Sequence, residues 1–123
     1  MITALIVDDS SYMRSSIKFY ASKHGVASFS EAENGMVGVE KYKQFKPDIV
    51  FMDIMMNGMS GTEALKQIIE YDPNAKVVMV SSVLGQDPVI DEAKSLGAKA
   101  FLCKPLDDKD VAGVIGEIIK QIG

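Results

Sequence analysis

An alternation constrains the fold of this chain more than any other feature. Five short apolar runs, Ile2–Val7, Val26–Ser30, Asp48–Met52, Ala75–Val80 and Lys99–Leu102, are separated by longer segments with helical spacing. Val, Ile, Phe or Leu form the heart of each run, and polar residues interrupt them little. A strand covered on both faces reads this way, because neither side of its pleat meets water. A β-α unit repeated five times predicts a parallel sheet with helices on both faces, and right-handed crossovers leave few topologies. Five units are too few to close an eight-stranded barrel, so an open, doubly wound α/β sheet is expected.

The intervening segments carry their own start and stop signals. Met13, Ile17, Tyr20 and Ala21 share one face of the first, with Ser10 as the predicted N-cap and Gly25 just past the end. Met36, Val39 and Tyr42 lead the second towards Phe45, and Pro47 follows its stop. Ala64, Leu65, Ile68 and Ile69 mark the third, with Ser60 as its cap. Asp87-Pro88 reads as a cap followed by a first-turn proline, and Val89, Ala93 and Leu96 form the fourth face. Val111, Val114, Ile115, Ile118, Ile119 and Ile122 give the fifth the strongest stripe.

Composition removes several classes. Thirteen basic against 17 acidic residues leave a net charge of −4, which argues against a general nucleic-acid binder, since that needs a basic stripe to displace phosphate counterions. A hydrophobic share of 47% excludes disorder of the whole chain. No apolar run approaches the roughly 20 residues of a membrane span. No basic n-region or small-residue cleavage site stands at the start, so no secretory leader is expected and a cytoplasmic location is. Cys103 is the only cysteine, so neither an internal disulfide nor a zinc cage can form. No linker or repeat interrupts the pattern, and residues 1–123 are expected to be a single domain.

The polar residues collect where strands end. The first run meets Asp8-Asp9, the third Asp53, the fourth Ser81-Ser82 and the fifth Lys104-Pro105. In a parallel sheet these ends share one edge, the edge at which open α/β sheets bind ligands. Two carboxylates about 4 Å apart repel by roughly 4 kcal/mol at an effective dielectric of 20. Such a cluster calls for a hard cation, and oxygen ligands without His or Cys suit Mg²⁺ or Mn²⁺ better than zinc. A metal, a lysine and a hydroxyl around a central carboxylate suit phosphoryl chemistry, with Asp53 as a nucleophile forming an aspartyl phosphate.

Each residue alone has a plainer role. Asp8-Asp9 can be a capping turn, Asp53 a turn residue, Ser81 a loop hydroxyl and Lys104 a solvated charge. Together they are harder to dismiss, because four separate strand ends would have to carry complementary chemistry by accident.

These stretches resemble the receiver domain of two-component response regulators, in particular the stand-alone CheY-like type. The matching segments are Leu5-Ile-Val-Asp8-Asp9-Ser-Ser, Pro47 through Asp53 to Gly61, Val77-Val-Met-Val-Ser81-Ser, and Gly97 through Phe101 to Lys104-Pro105. The resemblance covers essentially the whole chain. It implies a flavodoxin-like (CheY-like) five-stranded parallel sheet, and the strand order 2-1-3-4-5, known for CheY, is taken from the resemblance alone.

The resemblance also implies roles. Asp53 matches the phospho-accepting aspartate, Asp9 the principal acidic Mg²⁺ ligand and Asp8 its support. Asp53 itself completes the acidic set, and the backbone carbonyl of Met55 matches the main-chain metal ligand. Ser81 matches the switch hydroxyl, Lys104 the lysine that pairs with a phosphoryl oxygen, and Phe101 the aromatic switch position. The Lys104-Pro105 bond matches one that is cis in the family, an isomer that proline makes accessible. Phosphorylation adds roughly −1.5 to −2 charge and three acceptor oxygens, and an inward move of Ser81 would open space for the Phe101 ring. Phe101 read without the resemblance is a core residue of a buried strand.

Two departures from the pattern stand out. Asn57 followed by Gly58 occupies the place where proline is usual, four residues after Asp53; Asn-Gly is itself a turn signal. Ser82 replaces the usual alanine, and a small residue there still admits a phosphoryl group. Met55 and Val83 occupy positions that tune dephosphorylation in the family. Both are apolar and cannot orient water, so slow loss of phosphate is expected.

The implied function is a response regulator phosphorylated on Asp53 by a CheA-like histidine kinase. Its output would be protein–protein contact through the fourth-helix/fifth-strand/fifth-helix face, as with a flagellar motor switch component, and a phosphatase is a further partner. No nucleic acid or membrane is involved, and no enzyme activity is expected beyond its own phosphorylation and dephosphorylation. Ser82 to Gln86 also looks like chemotaxis-type relatives. A phosphorelay intermediate passing phosphate on to a histidine stays open. An Mg²⁺-dependent phosphohydrolase is disfavoured, because such enzymes commonly carry an acid/base Asp two residues after the nucleophile and Met55 stands there. An FMN binder is disfavoured because Asp8-Asp9 would repel its phosphate. His24 reads as a helix-terminus residue, the methionines around Asp53 as fillers, and Arg14, the only arginine, as an improbable phosphate clamp.

Overall fold

The computed structural model describes residues 1–82 and 87–122. Strand β1 (Ile2–Val7) leads to α1 (Ser11–Ser22), and β2 (Val26–Ala32) to α2 (Gly35–Phe45). Strand β3 (Ile49–Asp53) leads to α3 (Gly61–Tyr71), β4 (Val77–Ser81) to α4 (Pro88–Leu96), and β5 (Ala100–Cys103) to α5 (Asp108–Ile122). All neighbouring strands pair in parallel, in the order β2-β1-β3-β4-β5. The doubly wound sheet expected from the alternation is therefore present, with the order expected from the resemblance.

Successive strand residues feed two cores, since side chains alternate across a pleated sheet. Leu5, Val7, Val50, Met52, Val77 and Met79 pack against Val39 and Tyr42 of α2, Ala64, Leu65 and Ile68 of α3, and Ile90 and Ala93 of α4. Ala4, Ile6, Ile49, Phe51, Val78 and Val80 pack against Ile17 and Ala21 of α1 and Val111, Ile115 and Ile118 of α5. Strands β3 and β4 are buried throughout, which is why their sequences read as unbroken apolar runs. Each large side chain so covered stabilises the fold by roughly 1.5–3 kcal/mol.

The helix starts follow the sequence signals. Ser10, Ser60 and Asp87 accept from the backbone N–H groups of Met13, Glu63 and Val89, and Asn34 caps α2 in the same way. Some faces differ from expectation. Met36 and Phe45 are exposed, because α2 turns Gly35, Gly38, Val39 and Tyr42 inward. Gly38 lets α2 come close to β1; a Cβ there would stand 2.8 Å from Val7. In α4, Ile90 is buried with Ala93, while Val89 and Leu96 are only partly covered. Ile122, at the end of the α5 stripe, is exposed.

Four strands, β2 to β5, run further than their apolar runs. Asp53 stays in the ladder opposite Val80, and Ser81 opposite Cys103. Strand β2 continues through Glu31 and Ala32, which pair with Ile6 and Val7. Polar residues thus hold ladder positions at the C-terminal edge. Among the described residues, no helix is long and apolar enough to cross a membrane.

Candidate functional site

Asp8, Asp53 and Ser81 are the buried polar or charged side chains of the described residues, and all three stand at the C-terminal edge of the sheet. Burying such groups is unfavourable unless they are paired. Their convergence at one edge, with none scattered through the core, is what marks the place.

The bond pattern of Asp8 fixes the first loop. Its N–H donates to the Ala32 carbonyl at 3.1 Å, extending the β1–β2 ladder. Its Oδ1 accepts from Ser10 N–H at 2.9 Å, and Ser10 in turn caps α1. Its carbonyl accepts from Arg14 Nη1 at 2.7 Å. Asp9, the next residue, projects an exposed carboxylate whose Oδ2 accepts from Asn57 N–H at 3.4 Å.

Asp53 closes β3, and its Oδ1 accepts from Met55 N–H at 3.3 Å. The segment after it folds back on itself. Gly61 N–H donates to the Ile54 carbonyl at 2.9 Å, and Gly58 turns with a φ of +78°. Gly61 is indispensable there, since a Cβ would lie 2.0 Å from the Asp53 carbonyl oxygen. Asn57-Gly58 therefore turns as the sequence suggested. Its departure from proline has a further effect: proline has no N–H to offer Asp9.

Lys104 reaches the centre from the end of β5. Its N–H donates to the Ser81 carbonyl at 2.8 Å, which ties the ends of β4 and β5 together. Its Nζ lies 3.3 Å from Asp53 Oδ1 and 3.4 Å from Asp8 Oδ2. The Lys104-Pro105 peptide is cis. Burial pushes the Asp53 carboxyl above the usual aspartate range, and the charge of Asp8 adds to this, while Lys104 pulls it back down.

One oxygen from each of Asp8, Asp9 and Asp53 lies within 4.8 Å of the others. This donor set, all oxygen and open to solvent at Asp9, suits a hard divalent cation that keeps some of its water. The residues present fit Mg²⁺.

The structure thus brings Asp8, Asp9, Asp53 and Lys104 into one cluster, with Ser81 at the adjoining strand end. Met55 follows Asp53 in the loop and is 68% exposed. Phe101 stands apart on β5, partly buried against the core shared with α4. Lys94 Nζ lies 5.7 Å from its ring centroid. Ser82 is exposed, and Val83 with the remainder of the stretch to Gln86 lies outside the described residues. His24 pairs with Asp108 at 3.0 Å, joining the end of α1 to the start of α5.

Two contributors were not legible in sequence. Arg14 bonds the backbone of Asp8, and Glu31 holds Arg14 at 3.0 Å. The apolar run that marks β2 stops at Ser30, so Glu31 gave no strand signal; only the ladder places it beside the site.

Residues 4–115 match the response regulator receiver domain family. The chain is 45% identical over 116 residues to the chemotaxis protein CheY of Thermotoga maritima, covering 94% of this chain and 96% of that protein. It is 43% identical to the chemotaxis protein CheY of Bacillus subtilis, covering 94% and 95%. In structure it resembles CheY of the CheX–CheY–BeF3–Mg2+ complex from Borrelia burgdorferi, with a TM-score of 0.89 and 34% identity, over 96% of this chain and 89% of that one.

Proposed function

Because the chain belongs to the response regulator receiver domain family and is a response regulator of the chemotaxis kind, we propose that Asp53 is its phosphorylation site. The observation that carries this is the shared ammonium: Lys104 Nζ stands within 3.4 Å of both Asp53 and Asp8, beside a three-carboxylate cluster.

A carboxylate oxygen of Asp53 attacks the phosphorus of a phosphohistidine on a CheA-like kinase. A P–O bond forms, the P–N bond breaks, and the histidine nitrogen takes up a proton. Lys104 Nζ, already at the Asp53 carboxylate, pairs with a phosphoryl oxygen, and the Ser81 hydroxyl donates to another. Asp8, Asp9 and Asp53, with the Met55 carbonyl, would hold Mg²⁺, which neutralises phosphoryl charge when bound. The Borrelia relative carries beryllofluoride, a phosphoryl stand-in, together with Mg²⁺ and CheX, and this supports both the cation and a partner protein of that kind here.

The change spreads through one face. Ser81 draws inward, Phe101 follows by changing rotamer, and the α4/β5/α5 surface takes a second form. An open groove of about 570 Å³ runs along β5 and α5, with Phe101, Cys103, Gly113 and Val114 in its lining. This groove supports the face as the contact for a flagellar motor switch component. The chemotaxis relatives favour such contact over onward transfer of phosphate to a histidine. They are matched over nearly their whole length, which supports residues 1–123 as a single receiver domain.

The test is titration with beryllofluoride or acetyl phosphate in Mg²⁺, comparing wild type with Asp53→Asn. Saturable, Mg²⁺-dependent modification absent from the variant is expected. Equal modification of both proteins would refute the assignment.

A further inference from the structure

The only arginine of the chain is built into the edge of this site rather than spent on the surface. The Arg14 side chain is 17% exposed and bridges two elements. From α1, Nη1 donates to the Asp8 carbonyl at 2.7 Å and Nε donates to Glu31 Oε1 on β2 at 3.0 Å. Glu31 is itself fixed, by Lys18 Nζ at 3.0 Å on Oε2 and by Lys41 Nζ, which donates to its backbone carbonyl. The guanidinium is therefore oriented by the protein at both ends.

The group it grips matters. The Asp8 carbonyl belongs to the peptide unit that joins Asp8 to Asp9, and that unit is planar and stiff. Fixing its plane fixes the place of the Asp9 Cα, so that only the Asp9 φ and side-chain torsions are left to aim its carboxylate. Asp8 has other anchors, in Ala32, Ser10 and Lys104. The Asp9 carboxylate is exposed, and among the described residues it accepts only a long bond from Asn57 N–H. Its position depends on the peptide before it.

We propose that Arg14, anchored by Glu31, is a positioning residue that clamps the Asp8–Asp9 peptide and so presents the two carboxylates together to one divalent cation. This rests on the reading of Asp8 and Asp9 as Mg²⁺ ligands. A nearby guanidinium also acts as a plain positive charge, which weakens cation binding. The two actions have opposite signs and can be separated. Lysine keeps the charge, but one ammonium on a flexible stem does not reproduce a planar fork serving two acceptors. Methionine removes both charge and fork.

The experiment measures Mg²⁺ affinity calorimetrically for wild type, Arg14→Lys and Arg14→Met, each first shown to be folded by circular dichroism and melted in EDTA. Both variants are expected to bind Mg²⁺ more weakly, Arg14→Lys about tenfold, the scale on which orienting partners of ligands act, and Arg14→Met by less, since it also loses the opposing charge. Unchanged affinity in Arg14→Lys overturns the proposal, whether Arg14→Met binds more tightly, as charge alone predicts, or only melts earlier in EDTA, as a structural role predicts. If Arg14→Met does not fold, Arg14→Lys decides. Wild type that binds no Mg²⁺ overturns the metal-site reading itself, a result distinct from a variant that binds as well as wild type.

Discussion

Lys104 Nζ lies 3.3 Å from Asp53 Oδ1. The same ammonium lies 3.4 Å from Asp8 Oδ2, so one cation serves two carboxylates whose side chains are 5% and 1% exposed. Two such charges repel by roughly 4 kcal/mol at 4 Å and an effective dielectric of 20. Lys104→Met leaves both without a cation. In EDTA the variant is expected to lose about 3 kcal/mol, the scale for breaking a buried pair. Saturating Mg²⁺ restores much of this, because a cation that binds only the folded state stabilises it by mass action. Urea unfolding in EDTA and in Mg²⁺ checks it; an equal loss in both conditions contradicts a shared electrostatic site.

Asp53→Asn reports on the same strain through pH. Burial first, and Asp8 second, raise the folded-state pKa of Asp53, so ionisation burdens the folded protein more than the unfolded chain. The stability tied to this group is fully present below the ordinary aspartate value near 3.9 and is lost as pH rises through the raised one. Glu31 and Asp108 are held low, by Lys18 and by His24 foremost, and give the opposite slope, lost as pH falls. They are common to both proteins, so the difference between variant and wild type isolates Asp53. In EDTA at neutral pH, Asp53→Asn is expected to melt higher by roughly 4 °C, on the order of 1 kcal/mol. The gain should shrink on acidification. Melting curves from pH 4 to 7 decide, and a pH-independent gain contradicts the cause given.

Met55 bears on how long a phosphoryl group lasts. Met55 is 68% exposed, two residues beyond Asp53, and its thioether offers no hydrogen bond strong enough to orient an attacking water. Met55→Asn places an amide there. Dephosphorylation is expected to quicken roughly tenfold, the effect of one added hydrogen bond of about 1.4 kcal/mol in the transition state. Decay of acetyl-phosphate-loaded protein after removal of the donor measures this, and an unchanged rate counts against a role for Met55.

Periodicity made the fold legible because both cores are built from the same two rhythms. Buried strands left unbroken apolar runs, each helix left a stripe, and three helices left a cap in Ser10, Ser60 and Asp87. The site was legible for a related reason: its acids and Lys104 interrupt those runs at strand ends, where a parallel sheet must gather them. Arg14 and Glu31 were not, because their partnership depends on the β1–β2 register, which sets Glu31 opposite Ile6 and appears in no local pattern. Met36 was misplaced because two glycines, Gly35 and Gly38, share the inward face of α2 with Val39 and Tyr42. A hydrophobic stripe cannot reveal the part of a face made by small residues.

The proposed switch can be read directly, since the chain contains no tryptophan and Phe101→Trp would provide a lone tryptophan emission, excited apart from the four tyrosines. Phe101 is partly buried between the α4-side core and Lys94, so a change of rotamer alters both its burial and its nearest charge. Ligand coupling of 1–3 kcal/mol, typical of such linkage, is enough to make a minor ring position the major one. Adding Mg²⁺ and beryllofluoride to Phe101→Trp is therefore expected to shift its emission, and Asp53→Asn in the same background to abolish the shift. Ser81→Ala tests the link between them. Its hydroxyl is the group proposed to draw inward, so without it the phosphoryl mimic should still bind, measured by Mg²⁺-dependent calorimetry, while the emission shift falls by more than half. A full shift in the Ser81→Ala background would mean that Phe101 responds to the site through another route.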